Sequence, residues 1–129
     1  MVKEMQNGRV NWDIPAGGLD QGELLIDGVC REIREETGII IKNPCLQRIF
    51  QFKQDQTTSF NYLYSYNLSN DEVKQINITE ADIEEIRFFS TSEIKILLDE
   101  HNVEHELARY RLLELYKNQI DISISVIEV

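Results

Sequence analysis

Three glutamates stand close together in the stretch "CREIREETG": Glu32, Glu35 and Glu36. Immediately before them runs "PAGGLDQGE", a loop rich in glycine. If 24–37 is helical, at about 100° per residue the three acids fall in one stripe and Ile26, Val29, Cys30 and Ile33 in the next. Like charges at this spacing repel by about 0.2–0.5 kcal/mol per pair, and the C-terminal half of a helix disfavours anions further. Arg31, four residues before Glu35, and Arg34 compensate in part. The arrangement is most simply explained by a hard divalent cation such as Mg²⁺, which shares its oxygen sphere among carboxylates, waters and substrate phosphates. A cation so held can bridge phosphate oxygens, lower the pKa of a bound water and stabilise charge as the water attacks phosphorus. The loop supplies the complement. Ala16, Gly17, Gly18 and Gly22 allow close backbone approach, with carbonyls for metal and amides for phosphate, beside a helix N-terminus that favours anions.

The elements that must position these residues are those of one domain, 1–129, because a chain of 129 residues holds a single core. Hydrophobic residues at 42% and charged ones at 28% suit an ordinary globular protein. A net charge of -10 argues against duplex nucleic acid or an anionic membrane surface as partner. An anionic substrate then needs positive charge from outside the composition, which a bound cation provides. No apolar run approaches the roughly 18 residues of a membrane span. Two cysteines, Cys30 and Cys45, and no basic-then-apolar leader make the cytoplasm the expected compartment.

Along the chain, a strand is expected to end over Val2 to Gln6, with "NGR" at 7–9 turning the chain toward Val10 and Trp12. A helix over about 24–37 is closed by Gly38 as a left-handed cap. Leu46 to Gln54 and Thr57 to Asn67 form a hairpin, and Ile83 to Phe89 another strand. "STSE" is a capping box that starts a short helix through Leu98. A longer helix covers Glu104 to Tyr116, and Ile120 to Ile127 is a final strand or extended tail. The class is mixed α and β.

Gly17, five residues, Glu23, seven residues, then Arg31-Glu32-Ile33-Arg34-Glu35-Glu36-Thr37-Gly38-Ile39 resembles the Nudix box, G-x5-E-x7-R-E-U-x-E-E-x-G-U, at every specified position. "WDIPAG" is similar to the family's approach to the box, and "IEEIRFF" followed by "STSEI" to its late strand and next helix. The resemblance implies an α/β fold, a Nudix-type α/β/α sandwich with a mixed β-sheet. It also implies hydrolysis of a nucleoside diphosphate linked to another moiety, with Mg²⁺ or Mn²⁺ held by Glu32, Glu35 and Glu36 and the Ala16 carbonyl. Glu23 would pair with Arg31 to hold the loop on the helix. A general base outside the box would be Glu84 or Glu85. The short chain leans toward the compact phosphatases of nucleoside tri- and diphosphates or thiamine-type diphosphates. The alternative is a Nudix-like nucleotide-binding module without catalysis, or a truncated inactive copy.

Leu24 stands where the family has Ser or Thr at the helix start, and Gly28 where Ala is usual, at about 1 kcal/mol of helix propensity. Sixteen residues precede Gly17, fewer than the family carries. A shortened N-terminal strand region is therefore expected, through a missing segment or with a neighbouring chain, as in a homodimer, completing the sheet. His101 and His105 are expected to be a solvated helix start rather than metal ligands. Phe60, Tyr62, Tyr64 and Tyr66 alternate onto one face, where sheet cover is expected and stacking of a base is the other use. Cys30 is expected to be inert on the packed stripe.

Overall fold

The computed structural model describes residues 1–6, 8–100, 103, 105–117 and 124–128. The order of elements is β1 (Val2–Gln6), β2 (Arg9–Asp13), α1 (Leu25–Thr37), β3 (Cys45–Gln54), β4 (Thr57–Ser65), α2 (Asn70–Val73), β5 (Ile83–Ile86), α3 (Thr91–Asp99), α4 (Glu106–Tyr116) and β6 (Ile124–Glu128). The strands form two three-stranded sheets, β2-β1-β5 and β4-β3-β6. In the first, β1 pairs antiparallel with both neighbours, Val2 opposite Asp13 on one side and opposite Ile86 on the other. The opening strand is thus the centre of its sheet, with Gly8 at φ 76° in the turn after it. Asn7 lies outside the described residues. In the second sheet β3 is antiparallel to β4 and parallel to β6, which gives the mixed character expected of the fold. The class is α/β, and among the described residues no helix is long and apolar enough to cross a membrane.

Local sequence explains most boundaries. Ser90 accepts from the Glu93 amide while Glu93 reaches back to the Ser90 amide, the reciprocal cap that starts α3. The same device, Ser69 with Glu72, starts α2, a helix the sequence reading passed over. β5 ends at Ile86, short of Phe89. Past it the chain turns so that Phe89 meets the Trp12 ring edge-on at 4.9 Å and the Arg87 guanidinium lies over both rings. Trp12, Ile94, Leu97, Leu98, Val103, Ala108 and Leu112 make a core in which α3 and α4 pack on β2.

The packing of α1 departs from the expected stripe. Ile26 is 40% exposed, and Val29, Cys30 and Ile33 are half-buried. The buried positions of α1 are Gly28, Glu36 and Thr37. The cause lies at its last turn, where the segment before β5 docks: the Asn77 amide donates to the Thr37 carbonyl and the Thr79 hydroxyl to the Glu35 carbonyl, each at 2.9 Å. The 120–123 part of the expected final strand, with Glu104 and His101, lies outside the described residues.

Candidate active site at the loop and helix junction

α1 starts at Leu24 with no side-chain cap and ends at Gly38, φ 76°, whose amide donates to the Arg34 carbonyl at 2.9 Å. Between these ends Arg31 organises the site. Its Nε and Nη2 donate to the two oxygens of Glu23 at 2.8 and 2.9 Å, and Nη2 also to the Gly18 carbonyl at 2.8 Å. Its Nη1 donates to Glu32 at 2.7 Å and Glu35 at 3.0 Å. The fork to Glu23 is the loop-to-helix clasp that the box spacing implied. The bonds from Arg31, with that of the Asp20 amide, hold the Glu23 carboxyl down at about 2, and the same carboxylates push the guanidinium still higher above its ordinary value.

Glu36 is in a different setting. It is 5% exposed; Oε1 accepts the Ala16 amide at 3.3 Å, and Oε2 is buried without a hydrogen-bond partner. Burial pushes its carboxyl up to about 8, with the charges of Glu4, Glu32 and Glu80 adding to the effect and the Ala16 amide opposing it. Gly17 presses on the Glu32 carboxylate so closely that a Cβ there would fall 2.0 Å from its carboxyl carbon. Gly28 leaves room for the Leu19 side chain, 2.5 Å from where its Cβ would stand. What looks in the sequence like a weak helix position is a place where the loop meets the helix.

The structure brings Gly17, Glu23, Arg31, Glu32 and Glu35 into one cluster, with Glu36 and the Ala16 amide beside it. Among the described residues no three His, Cys, Asp or Glu side chains converge as a metal cage, since Glu32 and Glu35 are turned onto Arg31. Glu84 and Glu85 pair with Lys3 at 3.4 and 3.9 Å across the β1–β5 ladder. The acids whose charge reaches Glu36 from outside the box are Glu4 and Glu80, which the sequence reading missed. Glu4 could have been found from strand alternation, being two residues from the buried Val2 and so on the same face.

A cavity of about 300 Å³ opens along this junction. Ala16, Gly17 and Glu32 line one side of it, and Phe60, Tyr62 and Tyr64 of β4 also line it. Phe60 is 58% exposed. Phe60 and Tyr62 pair with Gln51 and Ile49, so their side chains lie on the face of the sheet opposite to Phe50 and are exposed there. Tyr66 leaves that row, donating its hydroxyl to Glu72 at 2.7 Å. His105 is exposed at the start of α4, and Cys30 is a free, half-buried thiol.

Comparison with known proteins agrees with this geometry. A family model described as the NUDIX domain matches residues 1–111. Phosphatase NudJ of Escherichia coli (strain K12) and that of Shigella flexneri are each 32% identical over 95 residues, 73% of this chain. The match covers 61% of each of those relatives, so the chain spans about three fifths of their length. Two solved NUDIX hydrolases from Nitrosomonas europaea share the fold. One has a TM-score of 0.68 at 16% identity, covering 99% of this chain and 71% of that one. The other has 0.65 at 23%, covering 93% and 80%.

Proposed function

The chain belongs to the NUDIX domain family, and from that premise we propose that it is a divalent-cation-dependent hydrolase. It cuts a phosphoanhydride bond in a small nucleoside di- or triphosphate or a related diphosphate compound. The observation that carries the reading is the buried Glu36 carboxylate, whose Oε2 has no partner in the fold. A buried polar oxygen without a hydrogen-bond partner is costly, so one kept in that state at a loop-to-helix junction fits a ligand that binds oxygen. The donor set fits as well. Glu32, Glu35 and Glu36, with the Ala16 carbonyl, would hold Mg²⁺ or Mn²⁺, both of which favour oxygen. The bound cation would neutralise phosphate charge and make a water nucleophilic at neutral pH.

The chain's own residues do the rest. Arg31 clasps Glu23 and the Gly18 carbonyl, fixing the loop against α1. Gly17 lets the backbone lie on the Glu32 carboxylate, which a side chain there would displace. Phe50 and Asn61, cross-strand partners on one face of the second sheet, line the cavity beside Ala16, Gly17 and Glu32. Glu4 and Glu80, whose charges reach Glu36, are candidates to take a proton from the attacking water. The similarity to phosphatase NudJ supports a hydrolase.

A second reading, a nucleotide-binding module without catalysis, is favoured by one observation: Arg31 occupies both Glu32 and Glu35. One experiment separates the two. A panel of nucleoside phosphates and other diphosphates is incubated with Mg²⁺ or Mn²⁺, and again with excess chelator. Hydrolysis that needs the cation is expected. Binding without turnover on every compound would support the module, and turnover indifferent to chelator would reject the cation.

A further inference from the structure

Val29, Ile33 and Thr37, four residues apart along α1, line a second cavity, of about 220 Å³. Val29 and Ile33 are half-buried because they face this space rather than the core. Val2 and Ile86, register partners across β1 and β5, line it from the first sheet, and Ile39 and Ile41 line it from the segment after α1. Among the described residues that line it, none is Asp, Glu, Lys or Arg. Three of its hydroxyls are engaged within the fold. Thr37 donates to the Ile33 carbonyl at 2.6 Å, Tyr66 donates to Glu72 at 2.7 Å, and Ser65 accepts from Gln47 at 2.8 Å. Val2, Ile39 and Ile41 are buried, whereas Phe88, which also lines the cavity, is 59% exposed and marks its open side. Native interiors keep few voids larger than a water molecule, and a void lined by apolar groups stays dry and takes apolar ligands. A cavity of about 150 Å³ of that kind holds benzene, so this one has room for a hydrocarbon group of about five carbons. Its place matters as much as its lining. Pro15, Val29, Ile33 and Tyr64 line both this cavity and the one beside the box, so the two adjoin.

We infer that the second cavity is a subsite for a short hydrocarbon group, carried by a substrate whose phosphates lie at the box. The substrate class is then an alkyl or branched-alkyl diphosphate, with the charged end in the cavity lined by Glu32 and the tail in the uncharged one. This rests on the hydrolase reading for its reaction but not for its binding, so the test reads binding first.

The branched ester 3-methylbutyl phosphate, which holds no anhydride bond, is titrated into the full chain with Mg²⁺ present, with methyl phosphate as the counterpart that lacks the tail. Isoleucine methyl labelling lets NMR report where each ester sits, because Ile14 lines the first cavity alone and Ile39, Ile41, Ile76 and Ile86 line the second alone. The longer ester is expected to bind at least about tenfold more tightly, less than its extra carbons supply when fully buried. It should also shift the four methyl resonances of the second cavity, which methyl phosphate leaves in place. Ile76→Trp and Leu68→Trp each put an indole into the space, and the preference should collapse in each variant that keeps cooperative unfolding. Equal affinity for the two esters, a preference with those four resonances unmoved, or a preference that survives in every folded variant would each overturn the subsite. If neither variant folds, the methyl shifts of the wild type decide alone. Absent turnover of 3-methylbutyl diphosphate with the preference intact would instead reject the hydrolase and leave the apolar subsite in its role.

Discussion

Replacing Glu36 with glutamine keeps the shape of the side chain and removes its charge, which makes it the sharpest probe of the site. In the metal-free fold the carboxyl is raised from its ordinary value of 4.5 to about 8. The folded state therefore holds the proton where the unfolded chain has released it. Stability from this group is full below about pH 4.5, falls as pH rises through the window to about 8, and levels off above it. At 1.36 kcal/mol per unit the loss across that window is on the order of 5 kcal/mol. Glu36→Gln has nothing to ionise. In chelator it should match the wild type near pH 5 and be the more stable protein near pH 8.5. Mg²⁺ should reverse the order at the higher pH by raising the wild type alone, because a ligand that binds the native state stabilises it. Hydrolysis should fall by orders of magnitude in the variant. Denaturant unfolding of both proteins at the two pH values, with chelator and with Mg²⁺, supplies the comparison. A stability difference that does not change with pH would refute the buried, proton-holding carboxyl, and equal stabilisation of both proteins by Mg²⁺ would remove Glu36 from the cation site.

Gly17→Ala would place a Cβ 2.0 Å from the Glu32 carboxyl carbon, and the carboxylate can yield more easily than the backbone. Near wild-type melting with cation-dependent turnover reduced about tenfold or more is expected from displacing one ligand group, and unchanged kinetics would show that Glu32 does not need its observed place. Gly28→Ala should fail to give the gain of about 1 kcal/mol that helix propensity offers, because Leu19 and Glu23 crowd the new methyl; a clear rise in melting temperature would contradict this. Arg31→Gln should free the loop between Gly17 and Glu23, read as faster amide hydrogen exchange there, and loss of exchange protection confined to other segments would refute the clasp.

The parts of the molecule legible in the sequence are those fixed by near neighbours. The family resemblance implied the pairing of Glu23 with Arg31, and Gly38 and Ser90 marked helix ends through geometry local to a few residues. α2 carried the same Ser-to-Glu signal as α3 and went unread, being a single turn amid acids. Burial of Glu36 was not legible. Helical periodicity assumes that the apolar stripe faces the core, whereas α1 is covered at its last turn by residues about 40 positions later, through polar backbone contacts that leave no mark on periodicity. The Asp13–Arg111 pair joins residues 98 positions apart, and neither neighbourhood signals the other. The aromatic row was legible as a row, but whether a strand face meets core or cavity depends on what packs opposite, which no single segment encodes.

Three carboxylates crowded on one helix face must be accommodated even before a cation binds, and the fold does this with one guanidinium and one proton. Arg31 divides its labour by nitrogen: Nε and Nη2 serve Glu23 and the Gly18 carbonyl, while Nη1 serves Glu32 and Glu35. Glu36, beyond its reach, keeps its proton instead, with a carboxyl raised to about 8. A cation bound as proposed would therefore compete with Nη1 for two carboxylates and with a proton for the third. The bonds that hold the loop lie on the other two nitrogens and are not in the exchange. The loop and the first turns of α1 could then stay in place while the carboxylate oxygens changed partner, so the proposed positioning of a substrate along the Gly17–Gly18 backbone would not depend on whether the cation had arrived. Had a single nitrogen held both Glu23 and the ligand acids, loading the cation would have loosened the backbone that has to receive the substrate.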